Sequence, residues 1–200
     1  MSGGKSVGLT LCIDSTDEFI DICGQMRATG LKPNFITVDA AEGGTGAAPI
    51  DFSKYVGMPW EKTLIFVVNT LRGYDLKKDV RVLTASEIFT AFDIFNALCI
   101  GADICSTARG MMRALGCIQS LQCHENTCPT GVTTKDPRLR RGLVVEEKRK
   151  RVTIISRKPS RSFSSSSQQR VVQSWSSSIE PSFTSVSTMK IAVTRTCTPK

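Results

Sequence analysis

No stretch of this 200-residue sequence approaches the roughly 18 continuous apolar residues of a membrane-spanning helix, so none is expected. The first residues, Met1-Ser2-Gly3-Gly4-Lys5, lead into a short strand-like run and lack the apolar core of a secretory signal. Histidine is nearly absent, with His124 the single copy. Acidic residues are scarce at one end: residues 151–200 carry eight Lys/Arg against Glu180 alone, whereas residues 1–150 carry eighteen basic and seventeen acidic residues. The net charge of +8 therefore belongs to the tail, and a basic groove for nucleic acid is not expected. The chain is also short for a complete eight-fold βα barrel, which needs about 250 residues.

Cysteine, by contrast, is plentiful, with eight copies. With no secretory signal, these are expected as thiols in a reducing compartment, the cytoplasm or an organelle, and not as disulfides. Cys12, Cys23 and Cys99 fall on apolar strand or helix faces, and Cys105 at a strand end, where cysteine packs as a small hydrophobe.

Short apolar runs alternate with helical patterns. Val7–Ile13, Phe35–Val38, Val80–Leu83 and Ile104–Ser106 read as strands. Thr16–Thr29, Leu64–Leu71, Ala91–Leu98 and Gly110–Ile118 read as helices, with Gly30, Gly73 and Gly101 closing the first three. Four strand–helix units with buried, non-alternating strands predict an α/β fold on a parallel sheet. A doubly wound sheet and part of a (βα)8 barrel satisfy the pattern equally. Residues 146–200 change character, with fourteen serines between Ser156 and Ser187. They are expected to be a disordered basic tail or the product of a shifted reading frame.

Two constellations carry chemistry. The loop Glu42-Gly43-Gly44-Thr45-Gly46-Ala47-Ala48-Pro49 directly follows a strand, where parallel α/β folds bind ligands. Three glycines in four positions let backbone amides approach a ligand. No Gly-Lys-Ser/Thr follows, so it is not a nucleotide P-loop. Cys117, Cys123 and Cys128 lie within twelve residues, a spacing that admits iron–sulfur ligation and equally admits idle thiols.

The string EGGTGAAP, followed by Asp51-Phe52-Ser53 and Val56-Gly57-Met58-Pro59, resembles the FMN-binding domain of glutamate synthases and their stand-alone relatives. The resemblance runs from about Gly4 to Val145 and includes Ala91-Phe92-Asp93-Ile94, Gly101-Ala102-Asp103, Ala108-Arg109-Gly110-Met111 and Ala114-Leu115-Gly116-Cys117. It implies about the last four βα units of a (βα)8 barrel at residues 1–145, with FMN at the C-terminal face. It further implies reductive formation of glutamate from 2-oxoglutarate with ammonia or glutamine nitrogen. Gly43, Gly44, Thr45 and Gly46 are expected to line the flavin or substrate, with Glu42 as the polar contact to the reacting centre. Thr107, Ala108 and Arg109 are expected at the phosphate, and Cys117, Cys123 and Cys128 on a 3Fe–4S cluster with His124 beside it. The chain departs from the family at Ser86 and Glu87, where relatives carry glycine and lysine. A negative charge there disfavours a nearby phosphate or reduced flavin. The alternative expectations are a non-catalytic fragment or pseudoenzyme that needs a partner half-barrel or a second copy, and an FMN oxidoreductase with another substrate.

Overall fold

The computed structural model describes residues 3–42 and 48–162, with side chains described through residue 156. Four parallel strands, β1 (Gly8–Leu11), β2 (Phe35–Val38), β3 (Arg81–Thr84) and β4 (Ile104–Cys105), pair in sequence order β1-β2-β3-β4. The register aligns Val38 with both Leu11 and Thr84, and Thr84 with Cys105. A doubly wound sheet reverses its strand order at a switch point. This sheet does not, so it has the order of a barrel segment. Right-handed crossovers between successive neighbours put every connecting helix on the same face.

That topology explains the burial of the strands. Ile36, Val38, Val82 and Thr84 are fully buried, whereas Phe35, Thr37 and Leu83 between them are half-covered. The two central strands, β2 and β3, therefore alternate, contrary to the expectation of strands buried on both faces, because helices cover only one of them. On the other face the Phe35 ring lies across β1 at Gly8, where a Cβ would sit 2.1 Å from the ring. Glycine is required there by space.

The helices follow the spacing of their apolar residues. α1 (Thr16–Thr29) starts where the Ser15 hydroxyl accepts the Glu18 N–H, and it buries Phe19, Cys23 and Met26. α2 (Ile50–Tyr55) is a short helix absent from the sequence expectation; Ile50, Phe52 and Tyr55 are exposed, so no core-facing period marks it. α3 (Trp60–Gly73) begins after Pro59 and buries Leu64, Val67, Val68 and Leu71. Phe66 meets Phe19 of α1 edge-on at 5.8 Å. α4 (Ala91–Ile100) opens with a reciprocal cap between Thr90 and Asp93. α5 (Ala108–Ala114) is followed by a turn-rich segment and the short α6 (Pro137–Arg140).

The tail expected from residue 146 begins instead as helix α7 (Val145–Ser162), packed against α5 and α4. Glu146 and Glu147 sit in its first turn, favourable to the helix dipole, and pair with Arg149 and Arg151 one turn on. Val152, Thr153, Ile155 and Ser156 are half-buried while Ile154 is exposed. Residues 163–200, with most of the serine run, lie outside the described residues. Among the described residues no helix is long and apolar enough to cross a membrane.

Candidate functional site

The segments singled out in the sequence follow the C-terminal ends of consecutive strands: residues 39–42 after β2, 85–89 after β3 and 106–109 after β4. Gly43, Gly44, Thr45 and Gly46 lie outside the described residues. Glu42 is half-buried, and its Oε2 accepts the backbone N–H of Trp60 at 3.0 Å. The carboxylate thus satisfies a first-turn amide of α3, which Pro59 leaves without a side-chain cap. Ala41 donates to the Met58 carbonyl at 3.1 Å, and Met58 donates to Ile13 at 3.3 Å. The turn at Gly57, with φ of +99°, therefore bridges the ends of β1 and β2. Cys12 lies in the same place. Its thiol is pushed up by partial burial and by the carboxylates of Asp39, Asp14 and Glu42.

A hydroxyl links this corner to the next strand. Ser86 Oγ accepts the Ala40 N–H at 3.2 Å in a buried setting. Three further contacts tie the β3–α4 loop to α5. Arg109 Nη1 donates to Glu87 Oε1 at 3.3 Å, with both side chains about three-quarters covered. The Thr107 hydroxyl donates to the Ile88 carbonyl at 2.6 Å, and so does not cap α5. The Arg113 guanidinium lies 4.2 Å from the centre of the Phe89 ring. The structure thus brings Thr107 and Arg109 together with Glu87 and Ile88, and Ala108 opens α5 between them. Ser86 and Glu87 stood out in the sequence as departures from the family. Arg113 gave no signal there, because its contact is made across the two loops.

Thr84, at the end of β3, is fully buried and its Oγ1 has no hydrogen-bond partner among the described residues. An unpaired buried hydroxyl costs free energy. Cys105 beside it in register donates to the Ile94 carbonyl at 3.9 Å, and burial pushes its thiol up to about 12. Burial likewise pushes Cys23 up to about 11 and raises Cys99. Cys23, Cys99 and Cys105 are thus at least partly covered, whereas Cys12, expected with them on an apolar face, is exposed.

The cysteine loop behaves differently. Cys117 Sγ accepts the Gln119 N–H at 3.4 Å, and Cys128 Sγ lies 3.4 Å from the Thr130 hydroxyl. Burial alone would push Cys128 up, but the Thr130 hydroxyl at 3.4 Å and the backbone of Thr130 and Thr133 bring it down to about 6. His124 is exposed, 3.7 Å from Glu125. Among the described residues no three His, Cys, Asp or Glu side chains gather as a metal-holding group. The expected triad of Cys117, Cys123 and Cys128 is therefore not assembled. Left-handed turns at Gln119, Leu121 and Asn126 shape the intervening chain, and two of the three sulfurs are engaged locally.

Residues 4–160 match the family described as the conserved region in glutamate synthase. Glutamate synthase large subunit-like protein YerD of Bacillus subtilis (strain 168) is 41% identical over 150 residues, covering 75% of this chain and 29% of that protein. Glutamate synthase [NADH] of Schizosaccharomyces pombe is 40% identical over 110 residues, covering 55% of this chain and 5% of that protein. Glutamate synthase [NADPH] large chain of Azospirillum brasilense is 38% identical over 123 residues, covering 60% and 8%. The chain spans less than a third of the length of each of these relatives. Extended over most of the described residues, the match and the sequential parallel sheet agree: this chain belongs to the glutamate synthase family as part of its conserved region.

Proposed function

We propose that this chain forms one wall of the flavin site of a glutamate synthase-type oxidoreductase. The observation that supports the reading best is that residues 39–42, 85–89 and 106–109 follow the C-terminal ends of adjacent parallel strands, the face on which (βα)8 enzymes bind their ligands. Bound FMN would supply the hydride that reduces the imine formed from 2-oxoglutarate and ammonia. The chain's residues bind and orient. The glycine-rich loop after β2 offers backbone amides to the flavin or substrate. Glu42 anchors the start of that loop to α3 and provides a carboxylate at the reacting side. Arg109 supplies positive charge for the phosphate, with Thr107 and Ala108 setting its position.

Among the described residues β1 and β4 each have one neighbour in the sheet, and Leu9 and Thr10 of β1 are exposed. We extend the proposal accordingly: further strands complete the working site, supplied by a partner half-barrel or a second copy of the chain. The Glu87 carboxylate at the phosphate side favours a second reading, in which the chain is a pseudoenzyme with weak flavin affinity.

Titration of the purified protein with FMN, followed by quenching of flavin fluorescence, tests the reading. Saturable quenching, with a flavin chromophore retained through desalting, is expected. Flavin that stays free at every protein concentration contradicts the proposal. Where flavin binds, 2-oxoglutarate-dependent oxidation of the reduced protein in the presence of ammonium separates glutamate synthesis from chemistry on another substrate.

A further inference from the structure

Around the β3–α4 loop, three consecutive residues are each held by α5 or its approach. Glu87 takes Arg109, the Ile88 carbonyl takes the Thr107 hydroxyl, and Phe89 lies under Arg113. On the other side Ser86 accepts from Ala40 at the end of β2. The loop is thereby fixed between two strand ends, and the Glu87 carboxylate has little freedom to swing away. Arg109 and Glu87 are both largely covered, so solvent screens their attraction less than at an open surface.

We infer that Glu87 is a specificity-determining residue that competes with the ligand's phosphate for Arg109. An incoming phosphate meets a cation already committed to a carboxylate on the loop beside it. To bind, the phosphate must displace Glu87, and it must do so against the charge of the displaced group. A ligand without a phosphate gains nothing from Arg109 and meets no such obstacle. Glu87 therefore narrows the difference in affinity between a phosphorylated flavin and its dephosphorylated form. This inference rests on the flavin reading above for the identity of the ligand, but the competition itself concerns any phosphate that approaches Arg109.

Glu87→Gln tests it, because the amide keeps the size and the acceptor while removing the charge. Affinities for FMN and for riboflavin are measured by fluorescence titration of the wild-type and variant chains. The FMN-to-riboflavin affinity ratio is expected to rise about tenfold in Glu87→Gln, the scale of one charge-assisted contact with Arg109 released to the phosphate. An unchanged ratio overturns the inference. The same substitution made on Arg109→Gln is expected to give a much smaller rise. An equally large rise there shows that Glu87 acts by plain repulsion and not through Arg109, and also overturns it.

A second probe, inorganic phosphate alone, separates this inference from the flavin reading. Thermal unfolding of both chains is followed as phosphate is added. Phosphate is expected to raise the midpoint of Glu87→Gln more than that of wild type, because the anion binds the folded state. If neither flavin binds, the flavin reading fails, and the phosphate response alone decides the competition. Equal phosphate responses overturn it. Should Glu87→Gln fold poorly, Glu87→Ala carries the same comparison.

Discussion

The two ends of the sheet are built to different specifications. At the N-terminal end, Asp103 is fully engaged. It accepts from Lys77 at 2.7 Å, from Arg81 at 3.2 Å and from the Val82 N–H at 2.7 Å. Asn34 likewise joins β1 to β2 by exchanging hydrogen bonds with Val7, and its carbonyl takes the Arg81 N–H. At the C-terminal end, Thr84 keeps a buried hydroxyl without a partner among the described residues, a carboxylate neutralises the cation expected to meet a phosphate, and Glu42 closes a helix start. The lower end is saturated and serves stability. The upper end holds polar groups in arrangements that a ligand could exchange, as parallel barrels reserve that face for binding.

The largest expected effect breaks the lower end. Asp103→Ala leaves two cations and one strand amide without their acceptor, and should lower unfolding free energy by about 3 kcal/mol. Denaturant unfolding measures it, and flavin affinity at a temperature where the variant is folded should not change. A stability loss below about 1 kcal/mol would show the lower end to be less tightly built than its contacts suggest.

A pH-dependent effect sets the cysteine loop apart from both ends. Cys128 is held near 6 in the folded chain against an ordinary value of 9.0. The unfolded chain therefore binds more protons between those values, so Cys128 contributes stability that grows as pH rises from about 6 to about 9 and is absent below about 6. The buried thiols Cys23 and Cys105 act oppositely, but only above their ordinary value of 9.0. Unfolding of wild type and Cys128→Ser at about pH 6 and about pH 9 should show a gain in the first and none from this source in the second. Equal pH profiles for the two chains contradict the thiolate.

Thr84→Val sharpens the contrast by reversing its sign. Replacing an unpaired buried hydroxyl with a methyl should leave stability unchanged or raise it by about 1 kcal/mol. A marked loss would mean that the hydroxyl is paired in solution. The smallest effect is at Glu42. Glu42→Ala should cost about 1 kcal/mol by uncapping α3, while Glu42→Gln, which keeps an acceptor for Trp60, should cost almost nothing. If both cost the same, the charge and not the hydrogen bond holds the helix start.

How much of this was legible in the sequence depends on the range of the interactions. The four strands and four principal helices follow from apolar spacing, with Gly30 and Gly101 ending α1 and α4 as expected, whereas Gly73 lies inside α3 and Tyr74 caps it. α5 ends at Ala114 and not at Ile118, because Leu115 and Gly116 close it in a turn. α3 starts four residues earlier than its apolar run, at a Pro59–Trp60 boundary that is itself a helix-start signal. α7 was hidden because serine content outweighed the acidic first turn and the Glu–Arg spacing that favour it. Sheet order was not legible, since periodicity is the same for a doubly wound sheet and a barrel. At the site, residue types and strand-end positions could be read, but not partners. Whether Glu87 faces Arg109, or Ser86 reaches Ala40, is decided by loops brought together only in the folded chain. The spacing of Cys117, Cys123 and Cys128 left both cluster ligation and idle thiols open, and the three side chains are not gathered in the folded chain.

The central claim is that the C-terminal ends of the strands bind flavin while the N-terminal ends only hold the sheet together. FMN titration of wild type, Arg109→Gln and Lys77→Ala, each confirmed folded at the measuring temperature, tests it most directly. The account predicts saturable binding to wild type, binding weakened by roughly tenfold in Arg109→Gln, and binding unchanged in Lys77→Ala. No saturable binding to wild type, or equal losses in the two variants, would contradict it.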